Sequence, residues 1–186
     1  IYTLSLHDAL PIWSATAAMR IKMFCMCPLE SLGIAMATFA GQNYGAGKPQ
    51  RIWQGVKSAW WMMWIYSLGM GVVLWTCSEI FAFLFIDPSE TEIVRDTALF
   101  LHISVSFYPV LGTLCILRYS IQGAGYTGLS MLSGVSEMIA RVVVSVVAVP
   151  AFGYVAVCFG DPTAWVAAVA FLVPAFAWVY RRISEA

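Results

Sequence analysis

The stretch TGLSMLSGVSEMIARVVVSVVAV, residues 127–149, holds two charges, Glu137 and Arg141, in an otherwise small or apolar run. Crossing a ~30 Å hydrocarbon core takes about 20 mostly apolar residues in a helix, and this stretch supplies them. Ser130, Gly134, Glu137, Arg141 and Ser145 recur at spacings of four and three, which puts them on one helical face. Val142, Val143, Val146 and Val147 cover the rest. Such a small, polar stripe is expected to face protein or a watery cavity, with the valines toward lipid.

The remainder of the chain has the same character. Of 186 residues, 61% are hydrophobic and 11% charged, with a mean hydropathy of +0.80. Soluble domains run at roughly 45–50% apolar and about 25% charged. A chain of this size could not hide so much apolar surface in water, and it lacks the high charge of a disordered one. Ten Lys/Arg balance ten Asp/Glu with no basic stripe, which argues against nucleic acid as a partner. Five cysteines, odd in number and scattered, make no disulfide framework and read as membrane-buried thiols. The class expected is an all-α, polytopic helical membrane protein.

Five spans can be marked, at about residues 14–40, 52–78, 97–117, 127–149 and 163–180. Pro28 is expected to kink the first, Pro109 lies inside the third and Pro174 inside the fifth. Ile80–Ile86 is expected to lie in the interface after the second span. Asp87-Pro88-Ser89-Glu90 reads as a helix cap, and Asp161-Pro162 repeats its first half. Lys48, Arg51, Lys57, Arg118, Arg181 and Arg182 all fall on one side of alternating crossings, which makes that side cytoplasmic. Arg20 and Lys22 oppose this rule. The chain starts at Ile1, and Thr3–Ile12 looks like a translated sequencing adapter. Residues 1–12 are therefore read as non-native, and residues 13–186 as a piece of a longer protein.

Charges inside spans are expensive and mark function by default. Glu30 lies ~16 Å from Gly41, and Glu137 ~15 Å from Thr127, so both acids sit near the midplane. Glu30, Gly33 and Ala37 form a second small stripe. Glu137 and Arg141 have two readings: a fixed i,i+4 pair that neutralises itself, or a pair that breaks during turnover. Glu79 is expected near the outer interface, solvated. His102 is expected to be a hydrogen-bonded structural residue. The tryptophans, as in Trp60-Trp61-Met62-Met63-Trp64, are expected to face lipid or the interface.

Gly41-Gln42-Asn43-Tyr44-Gly45-Ala46-Gly47-Lys48 invites a phosphate-loop reading, which its spacing refuses. Five residues separate Gly41 from Gly47 where four are needed, and Pro49 replaces the Ser/Thr that would hold magnesium. The stretch does resemble the turn of the multidrug and toxic compound extrusion (MATE) family, with Gly41, Gln42, Asn43, Gly45, Gly47 and the basic Arg51 as its structural motif. Pro28 to Gly33, LRYSIQGAGYTG at residues 117–128, Glu137 to Arg141, and Gly153-Tyr154 followed by Pro162 and Trp165 extend the resemblance over most of residues 14–182.

The resemblance implies five transmembrane helices of a six-helix C-terminal lobe, working against a missing N-terminal lobe of the same chain. It implies a multi-pass protein of the cell (plasma or inner) membrane, bacterial in origin, that exports drugs or organic cations in exchange for sodium or protons. Glu30, Glu137 and Arg141 are the candidates for ion coupling or cavity lining. No enzyme activity, resident cofactor or bound metal is expected; Na+ or H+ would be transported, and the partners are the small-molecule substrate and membrane lipid. The alternatives are a flippase for lipids or lipid-linked precursors, which would need a more basic cavity than Arg141 alone provides, or a non-transporting structural membrane subunit.

Overall fold

The computed structural model describes residues 6–83, 86 and 91–185, with most side chains from Thr16 onward. The cap expected at Asp87–Glu90, the side chain of Glu79 and residues 1–5 lie outside the described residues. Among those described, the chain is helical with no strand. Its elements are α1 (Leu6–Gly45), α2 (Pro49–Ala82), α3 (Thr91–Ser106), α4 (Tyr108–Gly123), α5 (Thr127–Val143), a π-helical turn (Val144–Ala148), α6 (Val149–Phe152), α7 (Tyr154–Cys158) and α8 (Gly160–Glu185). Among the described residues, four helical stretches are long and apolar enough to cross a membrane, or five when the bent pair α3–α4 counts as one.

Several boundaries differ from those expected. α1 runs through Pro28 unbroken and on to Gly45, so Gly41, Gln42 and Asn43 belong to the helix rather than to a loop. The turn itself is short. Gly47 takes φ +63°, Lys48 N–H donates to Asn43 O at 2.9 Å and Gly47 N–H to Tyr44 O at 3.0 Å. This is the left-handed glycine cap that satisfies the last carbonyls of a helix, and Pro49 then opens α2. α4 ends the same way on the same tripeptide, Gly123-Ala124-Gly125, with Gly125 at φ +90° and Tyr126 N–H donating to Ile121 O at 3.1 Å. α2 continues to Ala82 as one helix, and the stretch of it long and apolar enough to cross a membrane ends at Ser78.

The third span is not one straight helix. α3 and α4 meet at Phe107 with a bend of 50°. The cause is local: Pro109 has no N–H to give and its ring crowds the carbonyl four residues back, so the chain restarts with proline in the first turn of α4. The fourth span loosens into the π turn ahead of Pro150 and continues to Phe152, where Gly153 at φ +59° ends it. The fifth is longer than expected, Gly160–Glu185, with Pro174 inside.

α4 is the centre of the bundle and packs on α1, α2, α5 and α8. Its glycines set how closely. A Cβ at Gly123 would lie 2.1 Å from Ala37 O, one at Gly112 2.0 Å from Met63 Cγ, and on α1 one at Gly33 2.5 Å from the Tyr119 ring. Small-residue contact of this kind is how membrane helices gain van der Waals energy when lipid removes the hydrophobic drive. Leu29, Met36, Ile52, Met63, Tyr108 and Ile116 fill the core between these helices. Outward, Ile65, Leu68, Val72, Met131, Met138 and Val146 are exposed, as an apolar solvent requires. All five cysteines are free, with Cys25, Cys115 and Cys158 buried.

Candidate functional site, a ladder of charges through the bundle

Glu137 is 8% exposed and projects from α5 into the bundle. Arg118 of α4 donates through Nη2 to its Oε1, and Arg141 through Nη2 to its Oε2 at 3.4 Å. Arg141 also donates through Nε to Asp161 Oδ1, at 3.0 Å, at the start of α8. The remaining oxygen of Asp161, Oδ2, takes Lys22 Nζ from α1. Each carboxylate oxygen is thus engaged by one cation, and Arg141 bridges the two acids.

The order in space is Arg118, Glu137, Arg141, Asp161, Lys22, linking α4, α5, α8 and α1. Counting ~1.5 Å per residue from the Gly123–Thr127 turn, Arg118 starts about 8 Å in, Glu137 about 15 Å and Arg141 about 21 Å. The ladder therefore climbs through most of the bundle. Ser133 supports its lower rung: Arg118 Nε donates to Ser133 Oγ at 2.9 Å, and that hydroxyl donates to Ser130 O at 2.7 Å. Lys22, 7% exposed, also stands 5.3 Å over the Phe100 ring. With three cations and two carboxylates, the ladder carries one net positive charge.

The i,i+4 pair expected of Glu137 and Arg141 is therefore present, but as one rung of a larger array. Arg118 is not an interfacial loop residue; it lies in α4 and turns inward. Asp161 serves Arg141 and Lys22, and no longer reads as a simple helix cap. Lys22 opposed the orientation rule because it is buried against an acid rather than exposed to the outer side. The stripe on the fourth span is rotated from the one expected: Ser133 and Glu137 are buried, while Gly134 on α5 and Ser145 in the π turn are exposed. The valines of that helix are exposed as anticipated.

Glu30 differs from Glu137. It is exposed, and among the described residues it makes no ion pair or hydrogen bond. Gly41 packs against Gly123 O at the end of α4, so the depths reckoned from Gly41 and Thr127 share one level, and the two acids stay at similar height. Cys115 of α4 lies within electrostatic range of Glu30, Arg118 and Glu137. Among the described residues His102 Nε2 has no hydrogen-bond partner; its ring stacks on Trp75 with centroids 4.5 Å apart. Arg51 is exposed beside the Gly47 turn, and Asn43 Nδ2 donates to Phe39 O at 2.8 Å. Trp60, Trp61, Trp64 and Trp75 are exposed, whereas Trp165 is buried. No group of three metal-ligating side chains occurs among the described residues.

Long apolar helices with polar side chains turned inward define a multi-pass membrane protein. The MatE family model matches residues 4–147, most of the chain, and the chain belongs to that family of membrane transporters. No curated protein and no solved structure matches it.

Proposed function

We propose that this lobe belongs to an antiporter of the bacterial plasma membrane that exports drugs or organic cations in exchange for sodium or protons, and that Glu30 is its cation-coupling acid. The observation that supports this most is the state of Glu30: a carboxylate at mid-depth, exposed on α1, with no cationic partner among the described residues. A lone acid in hydrocarbon is costly, which favours a watery cavity or a second lobe over lipid on that face. Its small neighbours Gly33 and Ala37 are taken up in packing against α4, which fixes the helix that carries it.

Glu137 has a different part in this reading. Both its oxygens are occupied by guanidinium groups, and the ladder is already positive, so a cation gains little there until a rung opens. Its pairs join α4 to α5, Arg141 carries the link on to Asp161 of α8, and exchange between these pairs is a way to let the helices shift during transport. The test is ion-driven export by the transporter that carries this lobe, reconstituted in vesicles, comparing Glu30→Gln with Glu137→Gln. Glu30→Gln should remove ion dependence without loss of folded protein.

A further inference from the structure

A groove of about 710 Å³ lies between α2, α4 and α8, lined by neither Glu30 nor any residue of the charge ladder. Its walls are aromatic. Trp53 stacks on Phe176 with centroids 6.0 Å apart and meets Tyr180 at 5.7 Å, while Trp60 closes the α4 side by donating Nε1 to Thr113 Oγ1 at 3.2 Å. Two cations line it, Lys57 and Arg181, and no acidic residue does. Lys57 Nζ stands 5.2 Å over the Trp53 ring. Neither cation forms an ion pair among the described residues, although four such pairs occur elsewhere in the chain.

Position and charge select the occupant. Lys57 lies in the first turns of α2 and Arg181 in the last turns of α8, so both cations sit at the end of the bundle that carries the other basic residues, the cytoplasmic end by the orientation rule. Deeper in, the groove offers only apolar and aromatic surface. It has no carboxylate to offer an organic cation, only ring faces; Lys57 already covers that of Trp53, and the two lining cations repel a third. We propose that the groove seats an anionic phospholipid of the cytoplasmic leaflet, with acyl chains along Trp53, Trp60 and Phe176 and the phosphate on Lys57 and Arg181. Basic pockets between membrane helices on this side hold lipid headgroups by the same physics.

The purified chain, given equal amounts of phosphatidylglycerol and phosphatidylcholine, would be examined by native mass spectrometry for the lipid it retains. Two unpaired cations predict a preference for phosphatidylglycerol of about tenfold or more. Both side chains are exposed, so K57Q/R181Q should keep its helicity and lose the preference. K48Q/R51Q removes the same charge from the neighbouring turn and should retain it. Equal retention of the two lipids by the wild type, or an unchanged preference in K57Q/R181Q, would overturn the assignment. So would an equal loss in K48Q/R51Q, which would mean general surface attraction. Displacement of the bound lipid by tetraphenylphosphonium would make the groove an organic-cation site and overturn it as well.

Discussion

At the scale of single residues, the ladder turns on the difference between breaking a buried ion pair and never having had one. Asp161→Asn leaves Lys22, 7% exposed, without its carboxylate, and takes one of the two acids from Arg141. Removing one partner of a buried pair costs about 3–5 kcal/mol, because the other charge stays behind. Asp161→Asn and Glu137→Gln should each lower the thermal midpoint of the detergent-solubilised chain by several degrees, whereas Glu30→Gln should leave it within a degree or two, followed by far-ultraviolet circular dichroism. Equal midpoints for all three would mean that the ladder contributes nothing. Glu137 and Arg141 were legible because their partners lie one helical turn apart. Arg118, Asp161 and Lys22 were not, because their pairings cross up to 139 positions of sequence and depend on which helices become neighbours. A charge pattern along one helix carries no record of that.

At the scale of elements, backbone approach decides what a glycine is worth. Gly123→Ala would drive a methyl into Ala37 O, backbone against backbone, where no rotamer offers relief. Overpacking of this kind costs about 1–3 kcal/mol, and α1 should separate from α4. Gly134 has no atom within 4 Å of a Cβ, so Gly134→Ala should be neutral or stabilising by up to about 1 kcal/mol through helix propensity. Melting both variants beside the wild type checks the pair, and the reverse order would refute the close contact. Helix existence and type were readable from apolar run lengths. The break at Phe107 was harder: a proline can end one helix and open the next, as Pro109 does, or be absorbed within a helix, as Pro28 and Pro174 are in this same chain. The outcome depends on whether neighbouring helices can satisfy the freed carbonyl, which the local sequence does not encode.

At the scale of the whole molecule, the arrangement requires the Gly47 and Gly125 turns on one side and the start of α3 on the other. In intact cells, a cysteine placed at Lys48 should resist an impermeant maleimide and one at Glu92 should react. Labelling of position 48 from outside would invert the topology, and with it the leaflet assigned to the Lys57–Arg181 groove. The basic residues point to this orientation from sequence, with two exceptions: Lys22, whose burial against Asp161 accounts for it, and Arg20, which is exposed. The function proposed rests, at this scale, on two acids at one depth with opposite surroundings, Glu137 held between guanidinium groups and Glu30 open on α1. The most direct measurement is sodium- or proton-gradient-driven efflux of an organic cation from vesicles holding the transporter that contains this lobe, with and without Glu30→Gln. The account predicts that the variant inserts and folds normally but no longer responds to the ion gradient; wild-type efflux with unchanged ion dependence would contradict it.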